Sequence, residues 1–389
     1  MEITGIICEY NPFHSGHYKQ LSIIRENNPN SAIVCLMSGN FVQRGMPSIF
    51  DMEIRAKAAL ICGADLVLEL PVTAALSSAE GFASEGVRIL NGFCDYLSFG
   101  AETPDIELLN KSAVALLSPN FSQHLKNHLL EGISFPAARQ KALEDIGLDS
   151  SIVKTPNNIL AIEYCKAILS QNAKIKPQPI LREGDFHAET PDLENPSATS
   201  LRLLLEKGKS CDNYVPQDII DIYSNATIHA INNGERAILY RLRTMTDEEY
   251  SLLPYGSEGL WRKLMKNART LSSLEEIINA TKSKRYTRTR IDRMIMCAFL
   301  GLTQGDILSP APYCRVLALN ERGREILRRA RTAGVFPNIG DRIEHPYQQI
   351  ENRCDDLYGL FAASDPEAPG ITQKRRIFYH KSSIVKTSG

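Results

Sequence analysis

The chain has 389 residues, with 44 Lys and Arg against 45 Asp and Glu and a formal net charge of −1. That length allows roughly two or three domains, and near-neutrality excludes a chain-wide basic footprint, so any nucleic-acid surface has to be local. Nine cysteines are scattered without a Cys-x-x-Cys pair, and no run approaches the ~18 apolar residues of a membrane span, which argues for reduced thiols in a soluble cytoplasmic protein.

An apolar strand over 3–8 runs into Asn11-Pro12-Phe13-His14-Ser15-Gly16-His17, and a helix is predicted over 17–27. A helix start offers free N–H groups and a positive dipole end to an anion. Two histidines three residues apart share a helix face, so imidazoles added there make a phosphate-handling corner. Gly16 leaves space for a nucleotide against the backbone. Outside this strand–turn–helix context, solvation or simple capping would be the better reading of the two rings.

Further strands are predicted over 32–37, 66–70, 96–99 and 176–181, with helices over 50–62, 78–91, 106–117, 135–146 and 158–170. Strands alternating with helices indicate an α/β domain with a parallel sheet covered on both faces. The helices between 106 and 170 read as an insertion before the last strand. Ligands of such sheets sit beyond the carboxyl ends of the strands. Several segments should border that crevice. The loop Ser38-Gly39-Asn40-Phe41-Val42-Gln43-Arg44-Gly45 suits an anion, or is an ordinary flexible loop. Gly100 at the end of strand four would admit an adenine or ribose. Either Asn157 or Asn158 could cap its helix or read an adenine edge. Arg182 ends strand five. Ser197-Ala198-Thr199-Ser200-Leu201-Arg202 opens a helix to about Lys207, through capping hydroxyls or as a second phosphate site with Arg202 one turn inside.

After Gly208 the pattern turns helical, over 219–233, 234–245, 258–267, 274–281, 287–300 and 321–333. This gives two domains, 1–209 and a mainly α-helical 210–389. The stretch Lys282 to Arg293 is basic with Tyr286 interleaved; Arg322, Arg324, Arg328 and Arg329 form a second cluster, and Lys374-Arg375-Arg376 with Lys381 a third. Such runs are either solvated faces or phosphate contacts with a stacking ring, and three in one half of a neutral chain favour RNA.

Glu9-Tyr10-Asn11-Pro12-Phe13-His14-Ser15-Gly16-His17, the stretch from Met37 to Gly45, Pro156-Asn157-Asn158-Ile159-Leu160 and Lys284-Arg285-Tyr286-Thr287-Arg288-Thr289-Arg290 together resemble the bacterial tRNA(Met) cytidine acetate ligases. The resemblance implies a Rossmann-like nucleotidylyltransferase domain followed by a helical tRNA-binding domain. It implies an enzyme that forms acetyl-adenylate from ATP and acetate, then acetylates the wobble cytidine of elongator tRNA(Met) to N4-acetylcytidine. By matching position, the ATP site is Ile7, Cys8, Glu9, Tyr10, Asn11, Pro12, Phe13, His14, Ser15, Gly16, His17, Tyr18, Lys19 and Gln20, with Gly100, Asn157 and Arg182. His14 and His17 take the catalytic role; Lys284, Arg285, Arg288 and Arg290 take the RNA. Ser15 stands where the family commonly has Asn, and Tyr18-Lys19-Gln20 lack the extra histidine often found there. Magnesium is expected through the phosphates, without a protein ligand. Neither a membrane nor a stable protein partner is expected. A small-molecule adenylyltransferase explains the histidines but not the basic half. A non-catalytic RNA-binding protein explains the basic half but not the histidines.

Overall fold

The computed structural model describes residues 1–182, 190–193, 195–332, 337–338, 345–366, 368–370 and 376–381. The first half runs β1 (Ile3–Cys8), α1 (Ser15–Asn27), β2 (Ala32–Ser38), β3 (Phe41–Val42), β4 (Met46–Pro47), α2 (Met52–Ile61), β5 (Leu66–Leu70), α3 (Val72–Ala75), α4 (Ala79–Leu90) and β6 (Tyr96–Ala101). Then come α5 (Ile106–Leu116), α6 (Pro119–Leu130), α7 (Phe135–Asp145), α8 (Pro156–Ser170), β7 (Lys176–Leu181) and α9 (Ala198–Glu206). The second half holds α10 (Ile220–Ser224), α11 (Glu235–Thr244), α12 (Asp247–Ser251), α13 (Leu260–Ala268), α14 (Leu274–Thr281), α15 (Arg288–Leu300) and α16 (Gln304–Leu308). It ends with β8 (Cys314–Leu319), α17 (Glu321–Thr332), β9 (Pro337–Asn338), α18 (Pro346–Tyr358) and β10 (Phe378–Tyr379).

The main sheet has the order β10-β8-β5-β2-β1-β6-β7, with β9 beside β8. Strands β5, β2, β1, β6 and β7 are mutually parallel. Both faces are buried, which explains why the central strands are apolar throughout. Along β2, Ala32, Val34 and Leu36 enter one core while Ile33, Cys35 and Met37 enter the other. From β1 the chain steps outward through β2 and β5, then returns to β6 on the opposite side. The carboxyl ends of β1 and β6 therefore flank a topological switch point, where a crevice opens. A third core belongs to the helical half, where α11, α13, α14 and α15 pack together, and Phe41, Val72 and Leu76 of the first half enter it. Among the described residues no helix is long and apolar enough to cross a membrane.

Two sequence expectations need correction. No strand is predicted after Leu181, yet β8 pairs antiparallel with β5 and extends the sheet. Its residues Cys-Arg-Val-Leu-Ala-Leu form a short apolar run between a proline loop and an arginine-rich helix, too brief to show a period. Helix is predicted over 219–233, but α10 stops at Ser224. Beyond it the backbone bonds to other segments, His229 N–H to Ile49 O at 2.8 Å and Ala363 N–H to Ile228 O at 2.8 Å. Those long-range bonds replace the local ones a helix would make.

Candidate active site

Strand β1 delivers the chain to the switch point, and the turn after it is pinned on all sides. Tyr10 takes a left-handed backbone (φ 46°), a strained choice for a tyrosine. Its hydroxyl reaches Cys35 Sγ at 3.4 Å and its ring packs on Phe13 and His17 at 4.9 and 4.8 Å. Arg55, fully buried on α2, donates to the carbonyls of Phe50 at 2.9 Å, Glu9 at 2.6 Å, Ser38 at 3.0 Å and also Gly39. One guanidinium thus ties the carboxyl ends of β1 and β2 together.

Helix α1 starts at Ser15, two residues earlier than expected, so His14 is its N-cap. His14 Nδ1 accepts the Gly16 N–H at 3.1 Å, and His17 Nδ1 accepts the His14 N–H at 3.3 Å. The capping reading therefore holds, through the Nδ1 atoms, and leaves both Nε2 atoms out of the cap. With both Nδ1 atoms accepting, each neutral ring carries its proton on Nε2. Burial, with help from Arg182 and Arg202, pushes His14 down to about 3. Burial, then His14 and Arg182, pushes His17 well down too. At neutral pH the site holds two uncharged N–H donors, with ring centroids 3.8 Å apart. The buried His14 Nε2 has no hydrogen-bond partner among the described residues. Gly16 also makes room for the His14 ring: a Cβ there would meet His14 Cε1 at 3.0 Å.

Beside the rings lies a cavity lined among others by Gly16, His17, Gln20, Gly100, Leu181 and Arg182. A second, larger one shares His17, Gln20, Gly100, Arg182 and Ser197 with it and reaches Glu9, Gln43, Arg44 and Arg202. They are two lobes of one crevice. Arg202 donates to Asn11 O at 2.8 Å and Thr199 Oγ1 at 3.2 Å; burial lowers its pKa to about 10, so it stays cationic. Gly100 makes room for Arg182, whose Cδ lies 3.0 Å from where a Cβ would stand.

The asparagine pair is resolved by its partners. Asn158 is buried and accepts the Thr103 N–H at 3.0 Å, while Asn157 lines the larger lobe and accepts from Arg182 at 3.3 Å. Helix α8 has no cap from its own Thr155 side chain. Glu102 supplies it from the end of β6, accepting from Asn158 N at 2.7 Å, Asn157 N at 3.3 Å and Asn157 Nδ2 at 2.8 Å. Against the upward push of burial, hydrogen bonds from Asn157, Thr155 and Asn158 hold the Glu102 carboxyl below its ordinary value.

The model of the HIGH nucleotidyl transferase family matches residues 1–370. A tRNA(Met) cytidine acetate ligase of Alkaliphilus metalliredigens is 38% identical, with 99% of this chain and 100% of that protein covered. One from Clostridium perfringens (strain ATCC 13124) is 37% identical, covering 84% and 87%. The chain belongs to the tRNA(Met) cytidine acetate ligase family. The crystal structure of Thermotoga maritima TmcAL superposes with a TM-score of 0.90 at 26% identity, over 98% of this chain and 100% of that one. The same protein bound with alpha-thio ATP superposes at 0.87.

In this ligase, Pro12, Phe13, Ser15 and Tyr18 line neither lobe, whereas the other expected ATP-site residues do. Phe13 is a core residue and Tyr18 is 46% exposed. Lys284, Arg285 and Arg288 are exposed at the start of α15, and Arg290 is half-buried. Arg288 is held by Glu275 at 2.7 Å and Arg285 by Glu258 at 3.7 Å, while Arg290 donates to Tyr255 O at 3.0 Å. The arginines of α17 lie at the opposite end of the sheet, where Arg329 pairs with Asp95 at 2.6 Å just ahead of β6. Lys374 and Arg375 lie outside the described residues. Arg55 and Glu102 escape sequence reasoning; the signal for Arg55 is one arginine in an otherwise buried helix face.

Proposed function

We propose that this family member activates acetate with ATP as acetyl-adenylate and acetylates the wobble cytidine of elongator tRNA(Met) to N4-acetylcytidine. The observation that carries this reading is the pair of uncharged imidazole donors at the start of α1, the buried Nε2 of His14 still lacking an acceptor. Phosphate oxygens are the acceptors such a corner suits. Acetate attacks the alpha phosphorus through a carboxylate oxygen, the bond to the beta phosphate breaks, and pyrophosphate leaves with the electron pair. Both reactants are anionic, so the residues act by positioning and by offsetting charge. His14 and His17 donate to phosphate oxygens without transferring a proton. The α1 amide end, Arg182 and Arg202 supply the positive field, strengthened by their burial. Asn157, held by Glu102 and Arg182, offers an amide to the nucleoside.

No group of three or more His, Cys, Asp or Glu side chains able to hold a metal stands among the described residues. A magnesium ion would be held through the phosphates and water, supplying charge neutralisation, and no step is routed through it. In the proposed division of labour, residues 1–209 handle ATP and 210–389 bind tRNA through Lys284, Arg285, Arg288 and Arg290, the second part lending β8 to the sheet. A tRNA and ATP as substrates fit a cytoplasmic setting.

The test is incubation of the purified chain with ATP, labelled acetate and total bacterial tRNA, followed by nucleoside mass spectrometry. Acetylcytidine that requires both ATP and acetate is the expected result. Pyrophosphate exchange without label in RNA would redirect the adenylate to another acid or acceptor.

A further inference from the structure

We propose that Arg44 is the acetate-binding residue: its guanidinium holds the carboxylate oxygen that does not attack ATP, and later holds the same oxygen as it becomes an oxyanion under attack by the cytidine amine. The inference rests on the ligase reading above and seats acetate beside the nucleotide, within the same crevice.

The residues given to the nucleoside stand on one side of the crevice. Gly100 belongs to β6, Arg182 follows β7, and Asn157 is tied to Glu102 at the end of β6. Those strands lie on one side of β1, and β2 lies on the other. The turn with His14 and His17 extends from β1, between them. An acid that approaches the alpha phosphorus from beside the nucleotide therefore comes from the β2 side. There the turn between β3 and β4 brings Arg44 into the crevice.

Arg44 is the cation of this wall still open to a ligand. Arg182 donates to Asn157, and Arg202 to Asn11 O and Thr199, whereas Arg44 has no hydrogen-bond or ion-pair partner among the described residues. It lies close enough to Arg202 to help lower that residue's pKa, within the field of the phosphate site. Gln43 Nε2 donates to Ser77 O at 3.4 Å, so the turn abuts the start of α4, whose Ala79 and Phe82 line the lobe together with Met46. One cation against a small apolar wall matches a carboxylate bearing a methyl group. The Glu9 carboxylate, which accepts the Gln43 N–H at 2.8 Å, makes the same place unfavourable for a polyanion such as pyrophosphate.

The turn is fixed before any ligand arrives. Arg55 holds the carbonyls of Ser38 and Gly39, Asn40 Nδ2 donates to Asp355 at 2.8 Å, and Arg293 Nη1 donates to Gln43 O at 3.4 Å. A Cβ on Gly45 (φ 79°) would run into the Arg293 main chain, so the turn is also packed on α15. An RNA held at the start of α15 would meet the acetyl group from that side.

One acetate oxygen forms the bond to the alpha phosphorus as pyrophosphate leaves with its electron pair. The other oxygen, on Arg44, becomes the acetyl carbonyl. When the N4 lone pair attacks the carbonyl carbon, the C=O pair moves onto that oxygen, where Arg44 offsets the charge. The pair then returns, the bond from carbon to the adenylate oxygen breaks, AMP leaves with its electron pair, and one N4 proton passes to water.

The experiment compares full-length wild type, Arg44→Ala and Arg44→Lys in acetate-dependent ATP–pyrophosphate exchange, with acetate, ATP and pyrophosphate varied in turn. In Arg44→Ala, kcat/KM for acetate is expected to fall by about 10² or more, with KM for ATP and for pyrophosphate within about threefold of wild type. Arg44→Lys keeps the charge without the planar fork and should recover about tenfold of that loss. Synthetic acetyl-adenylate isolates the second step: its single-turnover transfer to tRNA should slow by about 10² in Arg44→Ala. Unchanged acetate saturation overturns the proposal. So does a rise in KM for ATP or pyrophosphate equal to that for acetate, which would hand Arg44 to the phosphates. Normal transfer from supplied acetyl-adenylate would remove the oxyanion role. Absence of exchange in the wild type would sink the ligase reading instead.

Discussion

The buried arginines around the crevice and the exposed Arg288 at the start of α15 are handled in opposite ways. Burial pushes Arg55, Arg182 and Arg202 below the ordinary guanidinium value, and Arg55 is satisfied by main-chain carbonyls. On α15 a hydrogen bond from Arg288 to Glu275 raises the arginine instead, in an exposed pair. Concentrating positive charge in a buried site is unfavourable until an anion arrives, so the crevice has much to gain from a ligand. An exposed pair is already neutralised, and a phosphate there only replaces a carboxylate, for a small net change. On the proposed reading, the first region serves chemistry on a fixed ligand and the second reversible exchange with phosphate.

The comparison breaks most sharply at His14. Removing one preorganised donor typically lowers a rate by ~10²–10³, and His14→Ala is expected to lose pyrophosphate exchange by that order. Near-normal exchange would take the imidazole pair out of the chemistry. Next is Arg55→Met, which deprives four main-chain carbonyls of their donor. With a loss of ~1–3 kcal/mol for each such group and some relief from removing a buried charge, urea unfolding should show a loss on the order of 3 kcal/mol. A loss under about 1 kcal/mol would mean that water or a shifted donor replaces the guanidinium.

A pH series tests the same burial from another side. His14 is pushed from 6.5 to about 3, so between those values the unfolded chain binds a proton that the native chain does not. Stability is therefore full above about 6.5 and lost as pH falls toward 3; His17 acts in the same direction. At 1.36 kcal/mol per unit and proton, His14 alone accounts for about 2 kcal/mol between pH 6.5 and 5. His14→Gln should flatten that slope in urea titrations, and an unchanged slope would mean that the ring is charged in the native state.

How far each region could be read from sequence follows from how local its signals are. The strand, turn and helix around His14 lie within 25 consecutive residues, so motif and context arrive together. The buried strands announce themselves because both faces are covered. Glu102 and Arg55 act on segments 55 and 46 residues away, and nothing in their own neighbourhood marks them. Strand β8 was invisible for the same reason, since its pairing partner β5 lies some 250 residues earlier and only that contact makes it a strand. The basic stretch was legible as charge, but its carboxylate partners Glu258 and Glu275 come from other elements and could not be foreseen.

Those partners give the smallest and most discriminating prediction. If α15 trades Glu275 for phosphate, Glu275→Gln should release Arg288 and tighten tRNA binding by less than about 1 kcal/mol, or a few-fold. Arg288→Ala should weaken it by a similar factor and reduce the salt slope of binding by about one. Both variants should leave pyrophosphate exchange untouched, because neither residue lines the crevice. An unchanged salt slope in Arg288→Ala would show that the Glu275 pair merely staples α14 to α15, and the RNA surface would then have to be sought on Lys284 and Arg285 alone.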